Sequence, residues 1–314
     1  MSNEQAANAS QALLSLIQEE RKRALRLLQE LPLDPDLALL CEKELRAESE
    51  SEDALGRIYH VYPLLFSSLF FGQQEQSRDS SLFSRLCLAG FFIYRYVVKS
   101  DAVFDRNRQA FDNQDLLAAF TYLEEGIKLL STLFGYESAF WKIWNRRKRE
   151  HAQGIALNDH IEGLDWDLYE ILADCKSTFG KVAIDAIHLL KGDAALTEAH
   201  GRLLLSHRYF SVGFQIMDDI QDFVEDLRLG QSNIALLYLA DHKGVDFRQM
   251  YKQPNAKQLQ QDFIQAQLDK QLYRKALSYL EMSKEVIAQD ADKLPLWLEV
   301  LNYKIASNPL STAD

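Results

Sequence analysis

The chain has 314 residues, of which 47% are hydrophobic and 26% charged, which is enough for one large helical domain or two smaller ones. Its formal net charge of −11 argues against a nucleic-acid partner, because phosphate backbones attract basic surfaces. The 3 cysteines lack metal-ligand spacing and suggest reduced side chains in a cytoplasmic protein. The most apolar stretch, residues 86–98, contains Arg95 and is too short to span a bilayer, so we expect a soluble protein without a transmembrane segment.

Apolar residues recur at three- and four-residue spacing along nearly the whole sequence, and convincing strand alternation is missing. This pattern predicts an all-α, single-domain bundle of about ten or more helices around a central apolar cavity. The domain would span residues 1–314, with flexible tails at about 1–8 and 308–314. In chain order, the predicted helices cover residues 9–30, 35–47, 53–71, 80–105, 113–134, 137–155, 165–191, 194–228, 233–241, 256–284 and 293–306.

Two predicted helices differ from the others in where their apolar residues lie. The helix 82–105 is apolar on all sides through its middle, which predicts a place at the centre of the bundle. The helix 194–228 begins amphipathic, becomes strongly apolar at residues 209–217, and then reaches an acidic cluster. Because both helices end in carboxylates, we expect them to bring acid groups to one end of a shared cavity.

The acidic cluster lies in the segment FQIMDDIQDFVEDLRLG, residues 214–230. On a helix, Asp218, Asp222 and Asp226 share one face, and Asp219 lies at its edge. Like charges at this spacing disfavour a helix by about 0.2–0.5 kcal/mol per pair, and no basic residue follows until Arg228. A solvated helix face is one interpretation of such a pattern, and a binding site for cations is the other.

A second pair of acids favours the cation site. Asp101 and Asp105, in SDAVFD, are also four residues apart and close the other apolar helix. Several converging carboxylates suit hard divalent cations such as Mg²⁺, which commonly bind substrate phosphates as well.

The same segments resemble motifs of the class I isoprenoid synthase family. FQIMDDIQD is similar to the second aspartate-rich motif of prenyl diphosphate synthases, and DFVED extends the likeness to squalene and phytoene synthases. DAVFD resembles the first motif of both groups, with Asp101 and Asp105 matching its first and last acids. The spacing of Asp218, Asp222 and Asp226 is also similar to the metal-binding triad of terpene cyclases. The resemblance covers about residues 80–240.

This resemblance implies the class I terpenoid synthase fold and a prenyl diphosphate substrate held by about two or three Mg²⁺ ions. The implied metal ligands are Asp101, Asp105, Asp218, Asp219, Asp222 and Asp226, of which Asp101, Asp105, Asp218 and Asp222 are the implied catalytic residues. The segment DLYEILADCKSTFG resembles the part of prenyl synthases whose Lys-Thr pair meets the diphosphate, which places Lys176 and Ser177 there. Arg228 is a second candidate for the diphosphate.

Residues on the aspartate-bearing faces are candidates for an apolar substrate pocket. These are Cys87, Gly90, Phe91, Tyr94, Val97, Val98, Phe214 and Gln215. Simple core packing is the alternative for the same residues. Gly180 is expected either to break its helix or to serve close packing, and the basic run RRKRE at 146–150 is interpreted as a solvated helix face.

The sequence also departs from the family pattern. Head-to-tail prenyl synthases carry a basic loop for isopentenyl diphosphate, whereas FGQQEQSRDSSLFSR offers only Arg78 and Arg85. Ala102 stands where prenyl synthases have the second Asp of the first motif. We therefore predict a Mg²⁺-dependent terpene synthase that ionises one prenyl diphosphate to give a cyclic or linear terpene.

Three alternatives stay open at this stage. The first is a prenyltransferase that couples two prenyl diphosphates in the manner of squalene and phytoene synthases, which DFVED supports. The second is a chain-elongating prenyl diphosphate synthase. The third is a non-catalytic subunit of a heteromeric synthase, which Ala102 suggests, and a homodimer is a further option for assembly.

Overall fold

The structure, a computed structural model, describes the backbone of residues 3–47, 58–105, 113–158, 165–252 and 255–310. Within these ranges, the side chains of residues 3–12, 47, 59, 73, 77, 101–105 and 113–115 are outside the description. The described residues form α-helices and short 3₁₀ turns and contain no strand, which confirms the predicted all-α class.

Sixteen α-helices are described, numbered here in chain order. They are α1 (Asn3–Glu30), α2 (Pro35–Ala47), α3 (Tyr62–Phe70), α4 (Gln73–Arg78), α5 (Ser80–Asp105), α6 (Asn113–Leu133), α7 (Ala139–Asn158), α8 (Trp166–Lys176), α9 (Thr178–Lys191), α10 (Thr197–Gln221), α11 (Phe223–Leu229), α12 (Ile234–Lys243), α13 (Phe247–Met250), α14 (Ala256–Gln265), α15 (Leu268–Val286) and α16 (Pro295–Ala306).

Two long helix pairs and the short helices between them build the bundle. Helix α5 packs along α6, and α10 packs along α15. Helix α9 lies between these pairs, since it contacts α3, α5 and α10, and α7 covers both α8 and α9. Helix α5, as its sequence predicts, and helix α10 are central elements of this packing.

The middle of α5 is buried on every side, as its sequence predicts. The seven buried apolar residues here are Leu86, Cys87, Leu88, Ala89, Phe91, Phe92 and Ile93. The segment Ser80–Ser100 of this helix is long and apolar enough to cross a membrane, so the apolar stretch is longer than residues 86–98 suggested. Half of that segment is buried inside the bundle, as is expected for a helix of a protein core.

Two predicted helices are interrupted next to the functional motifs. The predicted helix 165–191 divides at Ser177 rather than at Gly180, and the Gly180 amide donates to the Ser177 carbonyl at 3.0 Å. The predicted helix 194–228 divides at Asp222. The division at Asp222 follows from packing: α10 lies against α15, whereas the next helix, α11, packs on α14 with Phe223 5.2 Å from Phe263.

Other differences concern shorter elements. The polar run after Gly72, predicted to be a break, contains α4, and Phe247–Met250 is a further short helix. The predicted helix 53–71 begins as α3 only at Tyr62, after a 3₁₀ turn at Tyr59–Val61, and residues 53–57 lie outside the description. The predicted helix 256–284 divides at Gln267, whose φ of 58° is left-handed. At the carboxyl end, where the tail was predicted from residue 308, the Asn308 amide is buried and donates to the Tyr273 carbonyl at 2.9 Å.

Candidate functional site

The predicted acidic cluster lies where α10 gives way to α11. Asp218 and Asp219 are in the last turn of α10, Asp222 occupies the break, and Asp226 lies in α11. Backbone bonds from Asp222 to Asp218 (2.8 Å) and from Asp226 to Asp222 (2.9 Å) preserve the helical spacing through the break. Asp218 and Asp226 are half-buried and Asp222 is exposed, so these acids lie at the edge of the core.

The electrostatics of the cluster are unfavourable in the absence of a cation. Burial, together with the nearby charges of Asp222 and Asp219, raises the pKa of Asp218 from 3.8 to about 7. Burial likewise raises the pKa of Asp226 to about 6, although a hydrogen bond from Asn233 opposes this rise. The pKa of Asp222 is raised by partial loss of solvent and by the charge of Glu225. Carboxylates that resist ionisation at neutral pH are groups that a bound cation would stabilise.

Asp219 differs from the neighbouring acids because both of its carboxylate oxygens accept hydrogen bonds. One oxygen accepts from Gln215 Nε2 at 2.8 Å, and the other accepts from the Tyr169 hydroxyl at 3.1 Å and from the Ile234 amide at 2.7 Å. The residue is buried, and its bonds join α10 to α8 and α12. These three bonds leave one acceptor site on Oδ1, so the role of metal ligand for Asp219 stays a prediction.

Asn233 holds the two halves of the cluster in register. Its amide nitrogen donates to the Asp219 carbonyl at 2.6 Å and to Asp226 Oδ2 at 2.7 Å. Its amide oxygen accepts from the first amides of α12, at Ala235 and Leu236. One buried side chain therefore caps a helix and fixes the position of a candidate metal ligand.

Lys176 provides positive charge beside the acids. It ends α8 and is half-buried, and no ion-pair partner for it is found among the described residues. Its charge lowers the pKa values of Asp218, Asp219 and Asp226 against the effect of burial, so the ammonium group lies within electrostatic reach of all three. Ser177, predicted to be its companion, forms the break between α8 and α9 and is half-buried.

The other charged residues that the sequence nominated are placed less completely. Arg228 is exposed in the last turn of α11. Asp101 and Asp105 belong to the last turns of α5, and their side chains lie outside the described residues. Ligation by these two acids therefore stays a prediction.

The predicted pocket residues on α5 fall into two groups. Cys87 and Phe91 are fully packed in the core, and the Cys87 thiol meets the backbone of Leu64 in α3. The residues nearer the aspartate end are more open: Gly90, Tyr94 and Val97 are half-buried, and Val98 is 37% exposed. This gradient is compatible with a cavity that opens toward the end of α5.

The two pocket candidates on α10, Phe214 and Gln215, contact different groups. Phe214 is half-buried and lies beside Phe210, with the Lys304 ammonium group 5.0 Å from its ring. Gln215 donates to Asp219, as described above, and approaches Asp218 at 3.4 Å. Gln215 thus orients the acids, a role that its place in FQIMDD does not reveal.

The basic run at 146–150 is not uniformly solvated. Arg147 is buried and donates to Asp185 and to Glu150, each at 2.8 Å, which corrects the interpretation of the whole run as a solvated helix face. The outer face of α7 does form a basic groove of about 690 Å³. It is lined by Trp141, Lys142, Asn145, Lys148, Arg149 and Ala152, and it contains none of the motif acids.

Two functional neighbours were missed by sequence reasoning. Tyr169 and Asn233 both bond to the acid cluster from other helices, 50 and 7 residues away from their partners. Asn233 could have been found, because Asn is a favoured residue at the start of a helix and the apolar sequence IALLYLA follows it. Nothing in the sequence distinguishes Tyr169 from an ordinary core tyrosine.

The donor set at the end of α10 fits Mg²⁺ in part. Among the described residues no three His, Cys, Asp or Glu side chains converge as a preformed metal site. Asp218 and Asp222 nevertheless offer carboxylate oxygens, the donor type that Mg²⁺ prefers, and the raised pKa of Asp218 indicates that Lys176 compensates its charge only in part. The remaining ligands would come from α5, the substrate and water, since protein sites for Mg²⁺ commonly use only one or two carboxylates.

The whole chain is similar to solved structures of prenyl diphosphate synthases. The decaprenyl diphosphate synthase of Rhodobacter capsulatus matches with a TM-score of 0.68 and 12% identity, over 96% of this chain and 98% of that one. The octaprenyl pyrophosphate synthase of Helicobacter pylori matches with a TM-score of 0.67 and 13% identity, over 94% and 99%.

The geranylgeranyl pyrophosphate synthase of Lactobacillus brevis is comparable, with a TM-score of 0.67 and 16% identity over 94% and 96% of the two chains. No protein-family model matches the sequence, and no curated protein matches it significantly. The coordinates therefore confirm what the aspartate-rich motifs suggested about architecture: the chain has the all-α fold of the class I isoprenoid synthases.

Proposed function

We propose that the protein is a Mg²⁺-dependent prenyltransferase, which ionises an allylic prenyl diphosphate and joins the prenyl group to a second isoprenoid. The observation that carries this proposal is the cluster of carboxylates within electrostatic reach of Lys176, at the end of α10, in a fold shared with prenyl diphosphate synthases. The likeness to those synthases favours prenyl transfer over the terpene cyclisation predicted from the sequence.

Different residues would bind the diphosphate and the metal ions. Lys176 would contact the diphosphate, because it is a half-buried cation without an ion-pair partner in the described part of the chain. Asp218 and Asp222 would hold Mg²⁺, together with Asp101 and Asp105 of α5. When bound, the metal neutralises charge that develops on the diphosphate as its C–O bond breaks.

Asp219 has a supporting role in this proposal. Its bonds to Gln215, Tyr169 and Ile234 fix the last turn of α10, and they hold the Asp218 backbone in place beside Lys176. Preorganised groups of this kind avoid reorganisation during reaction, which is the main source of electrostatic catalysis.

Cyclisation or elimination of a single substrate is the second candidate function. It is favoured by the weakness of the site for a second diphosphate: Arg78 pairs with Asp79 at 3.2 Å, and Arg85 is exposed. Prenyl transfer to an acceptor that lacks a diphosphate would not need a second diphosphate site. The two functions therefore differ in whether an acceptor is used and in which acceptor it is.

Binding of a bisphosphonate, a stable diphosphate analogue, tests the site directly. Isothermal titration should show binding that requires Mg²⁺ and is abolished by EDTA. We expect Asp218→Asn and Lys176→Gln to weaken binding by at least ~10-fold, because each removes a charge-assisted contact. Lys257→Gln, at an exposed lysine of α14, is the matched control and should bind as the wild type does.

Equal binding with and without Mg²⁺, or wild-type binding by both site variants, would contradict the assignment. Incubation of C10, C15 and C20 allylic diphosphates with isopentenyl diphosphate, followed by mass analysis, then identifies the acceptor. A longer prenyl diphosphate supports chain elongation, a C30 or C40 hydrocarbon supports coupling of two allylic substrates, and a terpene formed without acceptor supports the second candidate.

A further inference from the structure

His151 of α7 is a buried imidazole without hydrogen-bond partners. It is only 7% exposed, and neither Nδ1 nor Nε2 has a partner among the described residues. Buried polar side-chain atoms nearly always have at least one partner, and an unsatisfied group costs about 1–3 kcal/mol. A neutral imidazole contains one donor and one acceptor, and here both are unused. Both nitrogens are therefore free to bind a partner during function.

The acids nearest His151, in contrast, already have partners. Glu150 accepts from the Thr178 hydroxyl at 2.7 Å and from Arg147 at 2.8 Å. Asp185 accepts from Arg147 and from His200 Nε2, and Lys181 pairs with Asp174. His151 is the described histidine in which both ring nitrogens are buried without a partner, whereas the nearby His207 leaves only Nε2 unpartnered.

The surroundings of His151 are aromatic. Its ring lies 5.0 Å from the ring of Phe179, measured between centroids. Phe179 in turn lies 5.6 Å from Trp144 of α7 and 6.2 Å from Tyr96 of α5. We call these four residues the aromatic box. Aromatic faces stabilise cations, and Tyr96 belongs to the same helix as Asp101 and Asp105, five residues before the first of them.

The aromatic box adjoins the candidate diphosphate site. Phe179 follows Lys176 by three residues, across the break at Ser177. On α7, Gly154 is one turn beyond His151 and touches the same junction: a Cβ at this position would lie 3.0 Å from Cys175 Cβ and 3.2 Å from the Lys176 amide. His151 therefore packs at the junction of α8 and α9 that also positions Lys176.

The protonation state of His151 suits a base. Burial lowers its pKa, so the imidazole is neutral at pH 7 and one ring nitrogen keeps its lone pair. A neutral ring also avoids repulsion of a carbocation in the aromatic box, whereas a lysine or arginine at this position would oppose it.

We propose that His151 accepts the proton that ends the reaction. This inference rests on the proposed function, because it requires a carbocation beside the diphosphate site. After the new C–C bond has formed, a C–H bond next to the cationic carbon breaks, and its electron pair forms the C=C bond of the product. The proton moves to the free nitrogen of His151, which becomes an imidazolium and later returns the proton to water or to the released diphosphate. The same step serves transfer and cyclisation.

The ratio of the products tests the role of His151 as a base, whereas the rate of diphosphate release tests ionisation of the substrate. His151→Phe keeps a ring of similar size but has no lone pair, and His151→Gln keeps polarity but is not a base. We expect both variants to release diphosphate at a rate within about 3-fold of the wild type. The ratio of proton-loss product to alcohol, formed by capture of the cation with water, should fall by at least ~10-fold, because a positioned base contributes about 10²–10⁴-fold.

His242→Phe, at an exposed histidine of α12 outside the aromatic box, is the matched control and should keep the wild-type ratio within about 3-fold. For His151→Ala, added 4-methylimidazole should restore the proton-loss product, a response that a purely structural role would not give. An unchanged ratio in the folded His151 variants, an equal fall in His242→Phe, or absence of rescue would overturn the proposal. If the wild type releases no diphosphate from any allylic substrate, the proposed function itself fails.

Discussion

Replacement of Asp218 by asparagine should stabilise the metal-free protein. The substitution keeps the size of the side chain and removes its charge. Each unit of pKa corresponds to about 1.4 kcal/mol, so a pKa of about 7 in place of 3.8 means that the ionised Asp218 opposes folding by up to about 4 kcal/mol. Because the carboxylate is half-buried and solvent screens part of this effect, we expect a gain of about 1–3 kcal/mol at pH 8.

The sign of the pH dependence follows from the raised pKa. Below about pH 3.8, Asp218 is protonated in both the folded and the unfolded chain, so it does not reduce stability. As the pH rises toward 7, the unfolded chain ionises freely while the folded chain does not, and the free energy of unfolding of the wild type falls. The advantage of Asp218→Asn should therefore appear between about pH 4 and pH 7 and remain constant above that range.

Magnesium should reverse this order. If the cation binds Asp218, it stabilises the wild type by mass action and stabilises Asp218→Asn much less. The assay is urea unfolding of both proteins at pH 5 and pH 8, in EDTA and in 10-fold steps of Mg²⁺ concentration. Turnover of an allylic diphosphate should fall by at least ~10²-fold in the variant, although it is more stable without metal.

Two results would refute this reasoning. If Asp218→Asn is less stable than the wild type in EDTA at pH 8, the ionised carboxylate stabilises the fold. This result would contradict the raised pKa of Asp218. If both proteins respond equally to Mg²⁺ and have similar turnover, Asp218 is a solvated acid without a role in binding. Asp241→Asn, at an exposed acid of α12, is the control and should change neither quantity.

Three further predictions concern other residues. Lys176→Gln should raise the KM for an allylic diphosphate by at least ~10-fold, because it removes the cation beside the acids. Steady-state kinetics measure this, with Lys257→Gln as the control, and an unchanged KM would remove Lys176 from the site. Asn233→Ala should lower the free energy of unfolding, measured in urea, by about 1–3 kcal/mol, since it removes a helix cap and two buried hydrogen bonds. A loss below about 0.5 kcal/mol would contradict the role of Asn233 as a cap and a link to the acids. Gly180→Ala should destabilise the protein by about 1–3 kcal/mol, because the new Cβ would lie 2.5 Å from His207 Nε2. Gly201→Ala in α10 has open space at its Cβ and should stabilise the protein by up to about 1 kcal/mol. Equal melting temperatures of the two variants would refute the close contact at Gly180.

The sequence predicted the fold class and the central helices well, because both depend on local periodicity. The uninterrupted apolar run through Phe91 and Phe92 could only be accommodated inside a bundle, and these side chains are fully buried. Helix ends that depend on tertiary contacts were not predictable. Gln267 adopts a left-handed conformation for which glutamine has no preference, and the division at Asp222 reflects a change of packing partner from α15 to α14.

Prediction of the site was limited in the same way. The spacing of Asp218, Asp222 and Asp226 indicated one acidic face, since it depends only on helical geometry, and this spacing persists across the break. The distinct position of Asp219 depends on Tyr169, which is distant in sequence and reaches it from α8. His151 showed no sequence relation to the acids, because its place beside Phe179 depends on how α7 crosses the junction of α8 and α9.

The central claim is that the site breaks the allylic C–O bond of a prenyl diphosphate. Reaction in ¹⁸O-labelled water, with an allylic C15 diphosphate and with its analogue saturated at the double bond next to the diphosphate, tests this claim most directly. We predict Mg²⁺-dependent release of unlabelled diphosphate from the allylic substrate alone, with the label only in any alcohol formed. Release from both substrates, or label in the phosphate, would show hydrolysis at phosphorus and would contradict the account.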